Sequence, residues 1–152
     1  GAFTHTSYHD HEILAANLAG GQRSADDRNS IYAMFTDPPL AHVGLYEADA
    51  LRLVEQGRRI SQAVHQMKDI SRAKEESETH GLIKLLIDED TGLFLGATMM
   101  GIAADEIIHS ISLVMACGGT WQSVREALPA HPTVTEFLPT IIDRRKALLA
   151  RE

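Results

Sequence analysis

The segment from Leu128 to Glu136 contains the residues best suited to proton transfer. It reads Leu-Pro-Ala-His-Pro-Thr-Val-Thr-Glu, so His131 precedes Glu136 by five positions. Histidine exchanges a proton near neutral pH, and a carboxylate bound to its second ring nitrogen would fix its tautomer and orientation. Such a pair is suited to proton exchange with a thiol or an alcohol.

The same segment also has a purely structural interpretation. Thr133-Val-Thr-Glu136 has the pattern of a capping box, in which Thr133 is the N-cap of a helix. The Glu136 side chain would then reach back to the Thr133 N–H. Because capping boxes are common, the spacing alone leaves both the proton-transfer pair and the helix cap open.

A cluster of histidines and carboxylates near the start of the chain has the spacing of metal ligands. His5 and His9 are four positions apart and would share one face of a helix. No further group of ligands in the sequence completes a metal site, so none is predicted. The cluster is interpreted as the polar start of a helix, with Asp10 and Glu12 near the positive end of its dipole.

Two other features also favour structural roles. Cys117 is alone near the end of an apolar helix, so it is expected to be a small buried residue. The acidic run from Asp88 to Gly92 lacks the ordered ligand spacing of a calcium loop. It predicts a solvated hairpin turn.

Composition limits the class of protein. The 152 residues are 44% hydrophobic, which fits one domain with a small appendage. Fourteen Lys and Arg against 21 Asp and Glu give a net charge of -7, which disfavours binding to nucleic acid. No apolar run approaches the roughly 20 residues of a membrane helix. The single cysteine excludes an internal disulfide and is typical of a reducing cytoplasm.

The hydrophobic pattern indicates which elements must position these residues. It predicts a first helix, a polar linker from Gly20 to Ser30, and a domain that begins at Ile31. The element order β-β-α-β-β-β-α-α-α within that domain predicts an α+β fold, an antiparallel sheet with helices gathered on one side. The helices are expected at 8–18, 47–56, 103–117, 121–127 and 133–150, and the strands at 31–36, 42–46, 60–67, 81–87 and 93–100.

Four segments, in this order along the chain, resemble one family of flavoenzymes, the pyridine nucleotide–disulfide oxidoreductases. Its members include dihydrolipoamide dehydrogenase, glutathione reductase and mercuric reductase. The run Ala-His-Pro-Thr-Val-Thr-Glu at 130–136 is similar to the family signature His-Pro-Thr-x-x-Glu. The other segments are Phe-Thr-Asp-Pro-Pro-Leu-Ala-His-Val-Gly-Leu-Tyr-Glu at 35–47, the hairpin at 81–97 and Ala-Asp-Glu-Ile-Ile at 104–108. Tyr46 stands where the family pattern has Thr.

The resemblance implies a division of the chain. Residues 31–152 would form the C-terminal dimerisation domain, and residues 1–30 would be the last helix of an FAD domain plus a linker. The chain would thus begin inside the FAD domain, which explains its start at Gly1. Phe3, Thr4 and His5 resemble the segment that approaches the flavin. The dinucleotide fingerprints and the paired redox cysteines would belong to a part of the enzyme before this chain.

The resemblance also implies a function. FAD and NAD(P)H would bind the full-length enzyme, while none is expected on this chain, which would be inactive alone. His131, held by Glu136, would be the acid–base catalyst in the active site of the partner subunit of a homodimer. Apolar surface on the 103–117 helix and around Ile141 and Ile142 is expected to pair the two copies. The alternative is a standalone self-association domain in which Thr133 and Glu136 only cap a helix.

Overall fold

Six strands form one antiparallel sheet in the computed structural model, which describes residues 3–149. The strands are β1 (Ile31–Met34), β2 (Leu40–Gly44), β3 (Ile60–Gln66), β4 (Leu82–Asp88), β5 (Phe94–Met100) and β6 (Lys146–Ala147). Along the sheet their order is β1-β2-β5-β4-β3-β6, and every neighbouring pair is antiparallel.

The hairpin of β4 and β5 is the centre of the sheet. Its turn is fixed by Asp88, whose carboxylate accepts hydrogen bonds from the N–H groups of Asp90 at 2.8 Å and Thr91 at 3.3 Å. Gly92 closes the turn with a φ of +76°, a conformation that favours glycine. A Cβ atom there would also lie 2.9 Å from Gln122 Oε1. The hairpin predicted from the sequence is confirmed within one residue at each strand end.

Six helices accompany the sheet among the described residues. They are α1 (Thr4–Leu18), α2 (Glu47–Glu55), α3 (Ser71–Glu75), α4 (Ala104–Ala116), α5 (Trp121–Glu126) and α6 (Leu138–Asp143). Three helices match their predicted ranges closely, α2 against 47–56, α4 against 103–117 and α5 against 121–127. Helix α1 begins four residues before its predicted start at residue 8, and α3 was not predicted.

The main core lies between one face of the sheet and helices α4 and α6. Residues of one face of β4, such as Leu85, pack there with buried aliphatic residues of both helices. Leu86 points to the opposite face, since side chains alternate along a strand. There it packs in a second, smaller cluster with Ile60 and with Ala50 of α2. Each buried Leu or Ile side chain contributes about 1.5–3 kcal/mol to stability.

The predicted helix over 133–150 is wrong. A 3-10 turn (Thr135–Phe137) leads into the short α6, and the chain then forms strand β6 on the edge of β3. The Leu148 N–H donates to Ile60 O at 2.8 Å, which extends this pairing. Residue 150, the end of the predicted helix, lies outside the described residues. Pairing with a distant strand therefore prevails over local helical pattern.

Three expectations about burial are also wrong. Ile141 and Ile142 are 1% and 0% exposed and belong to the main core, because α6 turns this face towards the sheet. They offer no surface to a second copy. Cys117 is exposed, since it follows the last residue of α4 instead of lying within its buried face. The Asp88 side chain is fully buried where a solvated turn was expected.

No helix within residues 3–149 combines the length and the apolar character needed to cross a bilayer.

Candidate functional site

His131 and Glu136 form a hydrogen-bonded pair on the connection between α5 and α6. The Nδ1 atom of His131 lies 2.8 Å from Glu136 Oε2, and a carboxylate can only accept, so Nδ1–H is the donor. The His131 side chain is 79% exposed, whereas that of Glu136 is 13% exposed. A largely buried carboxylate therefore holds an imidazole that projects from the surface.

Thr133 links the backbone segments on either side of this pair. Its Oγ1 accepts a hydrogen bond from the Glu136 N–H at 3.2 Å and donates one to Ala130 O at 2.8 Å. The first contact has the spacing of the backbone half of the predicted capping box, although the helical turn begins at Thr135, so Val134 and not Thr133 is its N-cap. The carboxylate of Glu136, which was expected to return to the Thr133 N–H, instead bonds to His131. Glu136 thus takes part in both arrangements, one through its backbone and the other through its side chain.

The hydrogen bond determines which ring nitrogen is available for chemistry. With its proton on Nδ1 and directed at Glu136, neutral His131 has its lone pair on Nε2. Because the ring is mostly exposed, it can reach a group outside this chain. The arrangement can take a proton at Nε2 and return it, while the buried carboxylate keeps the ring in one tautomer.

An ion-pair network that the sequence did not indicate anchors both ends of the His131 connection. Arg125 Nε on α5 donates to Asp143 Oδ1 on α6 at 3.0 Å. Arg145 Nε donates to Glu89 Oε1 at 2.6 Å, and its guanidinium lies 4.0 Å from the centre of the Trp121 ring. These contacts join residues up to 56 positions apart, so no local sequence signal could have revealed them.

The hydrogen bond from Arg145 also affects the titration of Glu89. It is the main reason why the pKa of Glu89 is lower than its ordinary value, and it outweighs the opposing effect of burial. The carboxylate of Glu89 is consequently charged over a wider pH range than that of a free glutamate. The turn of the β4–β5 hairpin is thereby tied to the segment that follows α6.

Phe3, Thr4 and His5 lie together at the start of α1, far along the chain from the His131 pair. Phe3 is in an extended conformation (φ −105°, ψ 145°) immediately before the helix, and its carbonyl accepts from the Ser7 N–H at 3.1 Å. The first N–H groups of a helix have no partner within the helix. No acidic residue occupies the first turn, and Phe3, Thr4 and His5 are all exposed.

This donor set fits a flavin. Free N–H groups at a positive helix end are suited to the carbonyl oxygens of a flavin ring, and neither a carboxylate nor burial opposes the approach. The three residues predicted from the resemblance are therefore available to contact FAD.

The histidines of α1 do not converge on a common point. His5 Nε2–H donates to Ile31 O at 2.8 Å, whereas His9 contacts Arg23 and Arg28 at 3.3 Å each. Across residues 3–149, no group of three or more His, Cys, Asp or Glu side chains could hold a metal ion. Asp10 forms an ion pair with Arg28 and lies beyond the first turn of α1, so its expected role at the helix dipole is wrong.

Tyr46, which departs from the family pattern, takes part in an aromatic contact that joins β1, β2 and the start of α2. Its ring lies parallel to that of His42 with centroids 3.8 Å apart, and its hydroxyl lies 2.9 Å from that of Tyr32. The hydrogen bond with Tyr32, helped by burial, raises the pKa of Tyr46 to about 12. Burial lowers the pKa of His42, which is 1% exposed. In the sequence, only the departure of Tyr46 from the family pattern indicated this cluster.

Comparison with known proteins shows the family of the chain. Residues 31–142 match the family described as "Pyridine nucleotide-disulphide oxidoreductase, dimerisation domain". The chain is 33% identical over 138 residues to the probable pyridine nucleotide-disulfide oxidoreductase RclA of Escherichia coli strain K12. That match covers 90% of this chain and 31% of RclA. Dihydrolipoyl dehydrogenase of Synechocystis is 35% identical over 127 residues, which cover 83% of this chain and 27% of the relative.

Comparison with solved structures also finds RclA. The solved structure described as HOCl-induced flavoprotein disulfide reductase RclA from Escherichia coli superposes with a TM-score of 0.84 and 32% identity. The superposition covers 93% of this chain and 32% of that one, so the chain spans about a third of the length of its relatives. The predicted α+β fold with an antiparallel sheet is confirmed. The chain belongs to the pyridine nucleotide-disulphide oxidoreductase family and contains its dimerisation domain at residues 31–142.

Proposed function

We propose that this domain belongs to an FAD- and NAD(P)H-dependent disulfide reductase and supplies His131 and Glu136 to the active site of the partner subunit in a homodimer. The 2.8 Å hydrogen bond between His131 Nδ1 and Glu136 Oε2 is the observation that carries the proposal. A helix cap alone would not require the carboxylate to hold an exposed imidazole. The single free cysteine of the chain agrees with a reducing cytoplasm as its compartment.

The geometry of the pair supports an acid–base role. When a disulfide is reduced, one sulfur leaves as a thiolate, which is a better leaving group once a proton is available to it. Protonated His131 would give that proton from Nε2, and Glu136 would stabilise the positive charge that the ring bears beforehand. The proton returns to Nε2 when a thiol of the enzyme is next deprotonated. The pair is therefore restored after each cycle.

FAD would contact Phe3, Thr4 and His5 at the start of α1. When bound, it would relay the two electrons of NAD(P)H to a disulfide. The role of this chain is to present backbone N–H groups without a competing carboxylate in the first turn. The chain has one cysteine, so it cannot form the redox disulfide by itself. We therefore expect the isolated chain to be inactive.

Leu128 supports delivery into a second subunit, because it precedes His131 by three positions and is 97% exposed. On α4, the helix expected to pair the two copies, Leu113 is 54% exposed. Burial of apolar surface is the main favourable contribution to most associations between subunits. A two-fold arrangement would cover the same surface on both subunits. In such a dimer each His131 would lie against the partner subunit.

Replacing His131 by Ala in the full-length enzyme tests the catalytic part of the proposal. Reduction of the flavin by NAD(P)H should be largely unchanged, whereas turnover of an aliphatic disulfide should slow by about 10²–10⁴-fold, as for loss of an acid–base catalyst. Unchanged turnover would refute the catalytic role. It would leave a domain that serves self-association alone.

A hybrid dimer tests whether the pair acts in the partner subunit. One subunit would contain His131→Ala, and the other would lack its redox cysteines. If His131 acts across the interface, one of the two sites in each hybrid is intact and about half of the wild-type activity remains. If His131 acts within its own subunit, no site is intact, and an inactive hybrid would contradict the arrangement.

A further inference from the structure

Five aromatic rings lie in a continuous series from the start of α1 to the start of α2. The neighbours His5–Phe3, Phe3–Tyr32, Tyr32–His42 and His42–Tyr46 have centroids 5.4, 5.8, 5.7 and 3.8 Å apart. All these separations are within the range of favourable ring contacts, apart from the last, which is a close parallel stack. We name these five residues the aromatic column. The chain has only three tyrosines, and two of them are in it.

Hydrogen bonds hold the column in one orientation. His42 Nε2–H donates to Gly44 O at 3.0 Å, so the neutral ring accepts at Nδ1 from the Thr98 hydroxyl at 2.8 Å. Both ring nitrogens are thus satisfied without a proton being gained, as expected for a fully buried imidazole. The hydroxyls of Tyr32 and Tyr46 bond to each other at 2.9 Å. The rings at the α2 end of the column consequently have little freedom to turn.

The other end of the column meets a helix with few buried side chains. Of the described residues of α1, only Ile13 is buried. At the start of the helix, Phe3 stacks on Tyr32 with the ring planes within 2°, and His5 Nε2–H donates to Ile31 O at 2.8 Å. Both contacts are made to residues of β1, which is an edge strand of the sheet. The position of the first turn of α1 thus depends on Tyr32 and on what holds Tyr32.

We propose that the aromatic column positions the first turn of α1 against the sheet and so sets the place of the N–H groups that would contact FAD. Tyr32 and Tyr46 are positioning residues in this scheme, since neither would touch the cofactor. The flavin part rests on the function proposed above, whereas the contact between column and helix does not. Tyr46, where the family pattern has Thr, completes the column at its far end.

A graded series of variants in the FAD-loaded full-length enzyme tests this inference. Tyr32→Leu removes the ring that Phe3 stacks on, Tyr46→Thr removes the far ring, and Tyr46→Phe removes only the hydroxyl bond. Tyr8→Phe is the matched control, since Tyr8 is on α1 but 65% exposed and outside the column. The first readout is amide exchange of the peptide that contains Ser7, whose N–H bonds to Phe3 O. The second is the Kd of FAD, with flavin fluorescence recorded alongside.

We expect exchange at Ser7 and the Kd of FAD to rise together, by about threefold to tenfold in Tyr32→Leu, from the strength of one aromatic pair. The effect should be smaller in Tyr46→Thr, smaller again in Tyr46→Phe, and absent in Tyr8→Phe. Exchange at the wild-type rate in both Tyr32→Leu and Tyr46→Thr would overturn the inference. Faster exchange with an unchanged Kd and fluorescence would overturn the link to FAD.

These readouts are separate from those of the proposed function. If His131→Ala failed to slow disulfide turnover, the catalytic role would fall, yet exchange at Ser7 and binding of FAD would be unaffected. Conversely, a column without effect would leave the His131 experiment as it stands.

Discussion

Replacing Glu136 by Gln isolates the contribution of its charge to the His131 pair. The variant keeps the size of the side chain and an oxygen that can accept from His131 Nδ1–H, but it can no longer stabilise a protonated ring. The hydrogen bond is 2.8 Å long and joins a 13% exposed carboxylate to a 79% exposed imidazole. Hydrogen bonds to charged groups contribute about 1.5–3 kcal/mol. Because water screens the exposed ring, we take the lower end, about 1.5 kcal/mol.

A loss of that size predicts an approximately tenfold slower proton transfer, since 1.36 kcal/mol corresponds to a factor of ten in rate. Rapid-mixing kinetics of the full-length enzyme would follow its two half-reactions separately. Flavin reduction by NAD(P)H should proceed at the wild-type rate. Reoxidation by an aliphatic disulfide should slow about tenfold in Glu136→Gln. It should slow further in Glu136→Ala, which also removes the acceptor that fixes the tautomer.

The choice of substrate provides an internal control. An aromatic nitrothiophenyl disulfide releases a thiolate of low pKa, which leaves without needing a proton. In Glu136→Gln its reduction should slow less than that of the aliphatic disulfide, because only the deprotonation of the enzyme thiol then depends on the pair. The reasoning would be refuted if both disulfides slowed to the same extent, because protonation of the leaving thiolate would then not be the step that Glu136 assists.

Two further predictions concern stability. Thr133→Ala should lower the free energy of unfolding by about 1 kcal/mol in urea titration, because it removes the acceptor of the Glu136 N–H; Thr135→Ala, whose hydroxyl makes only a 3.3 Å contact with Thr133 Oγ1, should cost less, and equal losses would contradict the cap. Glu89→Gln should cost about 1 kcal/mol at pH 7, as for a favourable partly buried ion pair with Arg145. Because the pKa of folded Glu89 is depressed, this contribution is present above the unfolded pKa of about 4.3 and is lost as pH falls through the folded value. The difference in the free energy of unfolding between wild type and Glu89→Gln should therefore become smaller below about pH 4. A difference that persisted at low pH would exclude the ion pair as its source.

The central hairpin was predictable from the sequence because local pattern decides it. Two β-prone runs flank a turn that contains Asp88 and Gly92. Both residues shape the turn through contacts or backbone angles within a few positions of the chain. Strand β6 was not predictable, since two residues have no periodicity and their pairing partner Ser61 is distant in the chain. The direction of the short α6 was missed for a similar reason. Six residues cannot show which side of Ile141 and Ile142 faces the sheet.

In the candidate site, too, local features were predictable from the sequence and contacts between distant residues were not. The spacing of His131 and Glu136 placed them close enough to meet, but it could not decide whether the carboxylate would turn to the ring or to the Thr133 N–H. Arg145 and Tyr46 act through partners on other strands and helices. Such contacts depend on the assembled sheet and have no signature in the residues beside them.

The division of Glu136 between backbone and side chain leads to a last prediction, on the stability of His131→Ala. In that variant the carboxylate loses its partner and becomes free to reach the Thr133 N–H, which would complete the capping box. The exposed imidazole contributes little burial. We therefore expect the free energy of unfolding, measured in urea, to stay within about 0.5 kcal/mol of wild type while disulfide turnover collapses. A residue whose loss leaves the fold intact and removes activity is retained for chemistry. A loss of 2 kcal/mol or more, by contrast, would show that the imidazole is part of the fold.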